Sequence, residues 1–167
     1  MSELYVLRHC KSDWGGDISS DSERPLSERG HADASRLGRW MNQQGYIPNY
    51  ILCSTALRAR QTIQLVCEQF AISENDIHYL AELYLASCAT LLSTIEGFKE
   101  KSGPLLIVGH NPGMDELVSY LASQTVPLTK QGKLMTTGCL ARFSLPQDWQ
   151  DLHHQAELLT ITRPSEI

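Results

Sequence analysis

The sequence predicts an α/β fold of three layers, in which helices cover both faces of a mostly parallel central sheet. Short runs of consecutive apolar residues, typical of strands buried on both faces, alternate with segments whose apolar residues recur at helical spacing. This alternation is typical of strands joined by crossover helices. The length of 167 residues, without an internal repeat or linker, indicates one domain covering residues 1–167.

The first half of the chain is expected to form two strands and two helices. The apolar run at residues 4–7 predicts a buried strand, and residues 10–25, rich in Ser, Asp and Gly, predict a long loop. Ser27 is a favourable N-cap for a helix that should end before Gly45. Residues 50–53 predict the second strand. The helix that follows is indicated by one apolar face, which consists of Ile63, Val66, Cys67 and Phe70.

The second half continues the alternation and ends in two strands. Residues 77–80 form a weaker strand candidate, and residues 104–108 form the most strand-like segment of the chain. Asn111 can cap a helix that carries Pro112 in its first turn. Between the strands at 77–80 and 104–108, a helix is indicated by the apolar stripe Leu91, Leu92, Ile95 and Phe98. Two late strands, with no long helix between them, are expected at about 139–145 and 157–162.

The charge balance excludes some classes of partner. The formal net charge is −5, whereas proteins that bind nucleic acid or anionic membranes need a basic surface. We therefore expect neither nucleic acid nor a membrane as partner. A phosphorylated substrate stays possible, because a few arginines converging on one pocket can hold a phosphate inside an acidic protein.

The cysteines and the N-terminus indicate a cytoplasmic protein. The five cysteines are widely spaced and include no C-x-x-C pair, which favours free thiols over a disulfide framework or a zinc site. The first apolar run is too short for a signal peptide, and no segment is long enough to span a membrane. A cytoplasmic location is the resulting expectation.

Polar residues follow three of the predicted strands at the points where those strands end. Arg8 and His9 follow the first strand, Arg58 lies just after the second, and His110 follows the strand at 104–108. In open α/β sheets, ligands bind at the carboxyl ends of the strands. Two imidazoles and two guanidiniums could therefore share one pocket, and that set suits a phosphoryl group.

Each of these residues also has a simpler interpretation. A histidine after a strand is often a hydrogen-bonded structural residue, and Arg58 beside Arg60 could lie on a solvated helix face. A metal site is a rival for two converging histidines, but it needs a third ligand and the arginines would repel a cation. The sequence contains no H-x-x-x-H or H-E-x-x-H spacing.

Four motifs occur in order along the chain. They are L-R-H-C at residues 7–10, D-S-E-R-P-L-S at 21–27, S-T-A-L-R-A-R-Q-T at 54–62 and V-G-H-N-P at 108–112. They resemble the R-H-G, R-P-L-[ST], S-x-x-x-R-A-x-Q-T and second-histidine motifs of the histidine phosphatase superfamily. That resemblance implies the phosphoglycerate mutase-like fold. The short chain is similar to the small phosphohistidine phosphatase branch.

The resemblance implies a role for each of the four residues. His9 would be the nucleophile that becomes phosphorylated, and a neutral imidazole is competent for this near pH 7. Arg8, Arg58 and His110 would bind the substrate's phosphoryl oxygens and neutralise charge in the transition state. Water would then hydrolyse the phosphohistidine. Neither a metal nor another cofactor is implied.

Three further positions carry open alternatives. Arg24 is a candidate substrate contact, or the R-P-L segment only shapes the entry to the helix. Glu82 lies where the superfamily often places its general acid, or it is a surface carboxylate. Cys10 replaces the glycine of the family motif, which narrows the permitted backbone angles beside the phosphate site. A cysteine-phosphatase mechanism is disfavoured because the phosphate loop of that chemistry is absent.

The predicted function is a phosphatase for phosphate monoesters or phosphoramidates, with protein phosphohistidine in signalling as the preferred substrate. One alternative within the same fold is a phosphatase or mutase for small phosphorylated metabolites, whose relatives usually carry insertions that this chain has little room for. Another alternative is a non-catalytic module that only binds phosphorylated partners.

Overall fold

The computed structural model describes residues 1–17 and 19–167. Within them a six-stranded sheet is flanked by four helices, which confirms the predicted three-layer α/β architecture. The strands are β1 (Glu3–Arg8), β2 (Tyr50–Ser54), β3 (Ile77–Leu80), β4 (Leu105–Gly109), β5 (Leu140–Ser144) and β6 (Glu157–Thr162). The helices are α1 (Glu28–Gln44), α2 (Leu57–Cys67), α3 (Cys88–Glu96) and α4 (Gly113–Leu121).

The sheet is mostly parallel, as predicted. Its spatial order is β3-β2-β4-β1-β5-β6, and the pairs among β1 to β4 are all parallel. β5 pairs antiparallel with both β1 and β6, so it alone runs against the other described strands. Because β2, β4 and β1 are parallel neighbours, their carboxyl ends lie side by side at one edge of the sheet.

Two apolar cores form on the two faces of the sheet. Successive residues of a strand point to opposite faces, so in β1 Leu4 and Val6 enter one core while Tyr5 and Leu7 enter the other. The helices α3 and α4 cover the first core, and α1 and α2 cover the second. The strands β1, β2 and β4 are buried on both faces, which explains their nearly continuous apolar sequence, whereas the edge strand β3 is only partly buried.

The ends of α1 confirm the expected caps. The Ser27 hydroxyl accepts a hydrogen bond from the backbone N–H of Gly30, and Gly45 ends the helix with a φ of 74°. Within α1, Gly38 lies against α2, where a β-carbon would come within 2.5 Å of the Val66 carbonyl oxygen. The absence of a side chain at Gly38 therefore lets the two helices pack closely.

Some element boundaries differ from the prediction. Phe70 and Phe98 lie beyond the ends of α2 and α3, although both pack against the cores from turns. Pro112 precedes the first turn of α4 instead of lying in it. Asn111 still contributes a cap-like contact, since its side-chain oxygen accepts from the backbone N–H of Asp115 at 3.2 Å. Among the described residues, none of the helices combines the length and apolar character that crossing a bilayer requires.

Candidate active site

The polar residues that the sequence predicts at the ends of three strands line one pocket in the structure. Arg8 is the last residue of β1, His110 follows β4, and Arg58 lies in the first turn of α2 after β2. The ring centroids of His9 and His110 are 5.1 Å apart. These four residues line a pocket of about 310 Å³ together with Arg24. The expected juxtaposition is therefore present, and the chemical roles remain predictions.

Backbone hydrogen bonds hold the two residues that follow β1. The N–H of His9 donates to the Gly109 carbonyl oxygen at 3.1 Å, which joins the ends of β1 and β4. On the other side, the N–H of Gly138 donates to the carbonyl oxygens of Arg8 and His9 at 3.1 and 3.0 Å. The N–H of Arg8 donates to the Cys139 carbonyl oxygen at 3.2 Å. His9 is thus fixed from both neighbouring segments.

The hydrogen bonds of His9 define its protonation state. Its Nδ1 lies 2.7 Å from the carbonyl oxygen of Cys10, which can only accept, so Nδ1 carries the ring proton. The Nε of Arg58 donates to His9 Nε2 at 3.4 Å, so Nε2 offers its lone pair to the pocket. Burial lowers the pKa of His9 to about 3, and the nearby His110, Arg58 and Arg8 act in the same direction. His9 is therefore neutral at physiological pH.

His110 is suited to donate a hydrogen bond to a ligand. Its Nε2 lies 2.7 Å from the Ser54 hydroxyl, and that oxygen already accepts from the N–H of Ala56. The hydroxyl hydrogen can be donated to Nε2, and in that tautomer the ring proton lies on Nδ1. Nδ1 is buried and has no partner among the described residues. Burial, followed by the charge of Arg58, lowers the pKa of His110 to about 4.

Contacts with neighbouring residues hold two of the arginines in place. Arg8 donates through Nη1 to the Met135 carbonyl oxygen at 2.9 Å, and its buried Nε has no partner among the described residues. Arg24 donates to the Ser12 hydroxyl, and its guanidinium lies 3.6 Å from the centroid of the Trp14 ring. Guanidiniums that are fixed in this way are ready to bind an oxyanion.

Asp21 is a pocket residue that we did not predict from the sequence. Its carboxylate accepts from Arg58 Nη2 at 3.0 Å and from Arg24 Nη2 at 3.1 Å, and its carbonyl oxygen accepts from Arg58 Nη1 at 2.9 Å. The Tyr84 hydroxyl also donates to this carboxylate. That hydrogen bond, together with Arg24 and Arg58, lowers the pKa of Asp21 to about 2. The spacing of Asp21 three residues before Arg24 was the available signal.

Glu82 does not reach the pocket. It lies exposed in a 3₁₀ turn (Ala81–Leu83) and borders a separate depression that α3 also lines. After this turn, the Tyr84 hydroxyl donates to the Asp21 carboxylate and Leu85 lines the pocket that contains His9. The hypothesis that Glu82 is the general acid therefore finds no support in this geometry.

Cys10 points into the core and away from the pocket. It is fully buried among residues of the α1 and α2 core, and burial raises the pKa of its thiol to about 12. A thiol in this state is a poor nucleophile, which argues against cysteine-based chemistry. Its backbone N–H donates to the Thr62 hydroxyl at 3.0 Å. Cys10 has no left-handed φ, so the backbone tolerates its β-carbon.

Comparison with known proteins identifies the family. The model of the histidine phosphatase superfamily (branch 1) matches residues 4–95. Uncharacterized proteins of Arabidopsis thaliana and Mycobacterium tuberculosis are 29% and 34% identical over 75% and 70% of the chain. The chain spans only 61% of the length of the Arabidopsis protein and 70% of the mycobacterial one. The phosphohistidine phosphatase SixA of Escherichia coli is 27% identical over 87% of this chain and 86% of its own length.

The solved structures agree with the sequence comparison. A candidate phosphohistidine phosphatase SixA from Agrobacterium tumefaciens superposes with a TM-score of 0.82 at 29% identity, covering 98% of this chain and 99% of that chain. The chain therefore belongs to the histidine phosphatase superfamily (branch 1). Within that superfamily it falls in the small, SixA-like branch. The phosphoglycerate mutase-like fold implied by the motifs is confirmed.

Proposed function

We propose that this chain is a phosphatase that removes the phosphoryl group from phosphohistidine residues of proteins through a phosphohistidine formed on His9. The state of His9 carries the proposal. The hydrogen bond of Nδ1 to the Cys10 carbonyl oxygen, at 2.7 Å, leaves Nε2 as a neutral nucleophile. Three guanidiniums line the same pocket and can neutralise an attacked phosphoryl group.

The reaction would proceed in two displacements. In the first, the lone pair of His9 Nε2 forms a bond to phosphorus while the bond to the leaving group breaks and its electrons stay with that group. In the second, water attacks the phosphorus and loses a proton to solvent, the nitrogen–phosphorus bond breaks, and neutral His9 is restored. Arg8, Arg58 and the Nδ1–H of His110 would bind the phosphoryl oxygens as their charge develops.

The pocket suits a leaving group that needs little help from an acid. Glu82 does not line the pocket, and Asp21, the one carboxylate that does so among the described residues, has a pKa of about 2 because of Tyr84, Arg24 and Arg58. Neither side chain is therefore placed to donate a proton at neutral pH. An imidazole leaves phosphorus more readily than an alkoxide does, so a phosphohistidine substrate fits this site better than a sugar or serine phosphate.

The rim of the pocket supports a protein substrate. Trp14 and Leu85 both border the pocket, and their side chains are 73% and 56% exposed. Leu85 also holds a φ of 50°, which is unusual for a residue with a branched side chain. Exposed apolar side chains at the edge of a polar site are typical of a surface that contacts another macromolecule. The similarity to SixA proteins points the same way.

The test compares the wild type with His9→Ala and with His31→Ala, a matched control on the exposed surface of α1. Each protein is incubated with a phosphohistidine-carrying protein domain and with p-nitrophenyl phosphate, with and without EDTA. We expect the wild type and the control to release orthophosphate over many turnovers in EDTA, and intact mass spectrometry to detect one phosphoryl group on His9. Equal activity of His9→Ala would refute the mechanism.

The substrate class has its own outcomes. Leu85→Ala should raise KM for the phosphohistidine domain and leave hydrolysis of free phosphohistidine unchanged, because Leu85 borders the pocket without contacting an arginine in any described hydrogen bond or cation–π pair. A preference for alkyl phosphates of small metabolites would instead favour the metabolite phosphatase or mutase. Release that stops at one phosphate per chain would indicate a module that only binds.

The proposed setting is the reducing cytoplasm, with residues 1–167 acting as one domain. All five cysteines are free thiols, and Cys10, Cys53 and Cys139 are buried. Proteins that carry unpaired cysteines in this way are typical of reducing compartments. A role in signalling follows from the proposed substrate, because phosphohistidine on proteins is a labile and readily reversed mark.

A further inference from the structure

The phosphate-binding guanidiniums already hold an anion of the chain itself. Arg58 is 2% exposed, and both of its Nη atoms donate to Asp21, one to the carboxylate and one to the backbone carbonyl oxygen. Arg24 donates to the same carboxylate through Nε and Nη2. Only the Nε of Arg58 is directed at His9. When a phosphoryl group enters the pocket, both Nη atoms of Arg58 and the Nε and Nη2 of Arg24 are therefore already hydrogen-bonded to Asp21.

The carboxylate and the arginines differ in how firmly they are held. The side chains of Arg58 and Arg24 are 3% and 8% exposed, whereas that of Asp21 is 42% exposed. Asp21 belongs to a 3₁₀ turn (Asp21–Glu23) that buries none of its residues. Among the described residues, its side chain accepts hydrogen bonds from Arg24, Arg58 and Tyr84. Asp21 can therefore leave while the arginines stay.

We propose that Asp21 competes with the phosphoryl group for Arg58 and Arg24. A dianionic phosphoryl group displaces the carboxylate, and Asp21 returns to the guanidiniums when the product leaves. The competition weakens the retention of orthophosphate, which would otherwise inhibit the enzyme as a tightly bound product. This inference deepens the proposed function. It rests on one part of that proposal, namely that the pocket binds a phosphoryl group.

The alternative role for Asp21 is a brace that positions the arginines for the substrate. The two roles predict opposite changes in affinity. A competitor, once removed, leaves the guanidiniums free, so phosphate binds more tightly. A brace, once removed, leaves the guanidiniums less ordered, so phosphate binds more weakly.

The experiment measures orthophosphate binding to the full chain by calorimetry at neutral pH. Asp21→Asn removes the charge and keeps the size, and we expect the Kd for orthophosphate to fall roughly tenfold or more. Glu23→Gln is the matched control, because it removes one negative charge from an exposed position of the same turn, and no hydrogen bond or salt bridge joins Glu23 to an arginine within the described residues. The control should change Kd less than twofold. An equal tightening in both variants would reduce the effect to long-range charge and overturn the proposal.

Tyr84→Phe supplies a second variant that leaves Asp21 in place. The Tyr84 hydroxyl donates to the Asp21 carboxylate, so its removal loosens the competitor and should also lower the Kd for orthophosphate, by less than Asp21→Asn does. Weaker binding in either variant would establish the brace and refute the competitor. Absence of orthophosphate binding in every variant would also refute it.

The enzymatic outcome is separable from the binding outcome. Tighter orthophosphate binding in Asp21→Asn, in a protein that shows no turnover, would support the competitor and sink the proposed phosphatase function. In an active enzyme, the inhibition constant for orthophosphate should fall in Asp21→Asn together with Kd. Turnover with an unchanged inhibition constant would leave the phosphatase standing and refute the role of Asp21.

Discussion

Acidification should destabilise the folded chain because two neutral histidines are buried in the pocket. His9 is 6% exposed and His110 is 2% exposed, and burial lowers their pKa values to about 3 and about 4 from 6.5. Below pH 6.5 the unfolded chain takes up a proton at each position and the folded chain does not. Stability is therefore complete above pH 6.5 and is lost as the pH falls from there towards the folded pKa values.

The size of the effect follows from the two pKa values. At pH 5 an unfolded histidine is about 1.5 pH units below its pKa, while His9 and His110 are still neutral in the folded state. Each pH unit of this difference is worth about 1.4 kcal/mol, so each histidine removes about 2 kcal/mol of unfolding free energy. The two together remove about 4 kcal/mol, which is a large part of the stability of an ordinary domain.

Urea unfolding at pH 8, 7, 6 and 5, in buffers free of phosphate, measures this loss. His9→Asn keeps a donor for the Cys10 carbonyl oxygen and cannot titrate, so the loss between pH 8 and pH 5 should be about half that of the wild type. Wild-type stability that is constant across this range, or an unchanged loss in His9→Asn, would refute the assignment of two buried neutral imidazoles. Lowering of the Asp21 pKa does not contribute in this window, because that carboxyl titrates below pH 4.

Two further outcomes follow from contacts outside the pocket. Glu82→Gln should keep kcat/KM within twofold on both a phosphohistidine domain and p-nitrophenyl phosphate, because Glu82 does not line the pocket. A loss of tenfold or more in kcat/KM for p-nitrophenyl phosphate would instead support Glu82 as the general acid. Gly38→Ala should lower the unfolding free energy by about 1–3 kcal/mol, since its β-carbon would come within 2.5 Å of the Val66 carbonyl oxygen. Thermal or urea unfolding checks this against Gly97→Ala, whose β-carbon would come no closer than 3.3 Å to a neighbour and should change stability by less than about 1 kcal/mol; equal losses would contradict the packing argument.

Much of the fold could be predicted because its central strands are buried on both faces. The segments at 4–7, 50–53 and 104–108 are short and apolar throughout, and each became a strand within a residue or two of the predicted bounds. The reversed direction of β5 could not be predicted. An apolar segment has the same composition in either direction, and the pairing of β5 with β1 is decided by a connection that carries no helix of its own.

The site was predictable where chain order and chemistry coincide. His9 and His110 follow adjacent parallel strands, so their meeting follows from the topology. Asp21 was not predictable as a pocket residue, because an aspartate in a loop rich in Ser and Asp is usually solvated and its partner Arg58 lies 37 positions away. The sequence could not show that Glu82 lies outside the pocket, because the path of the backbone through the 3₁₀ turn decides that Tyr84, and not Glu82, contacts Asp21. The role of Glu82 as general acid stays a prediction.

The segment from Met135 to Cys139 has consequences for how much of the chain is needed. The carbonyl oxygens of Met135 and Cys139 accept hydrogen bonds from Arg8, and the N–H of Gly138 donates to the carbonyl oxygens of Arg8 and His9. A fragment that ended after α4 would retain all four motifs, but it would lose the hydrogen bonds that Met135, Gly138 and Cys139 make to Arg8 and His9. The geometry of the candidate active site therefore depends on residues well beyond the four motifs, and we expect a chain truncated after α4 to lose that geometry although every motif residue remains.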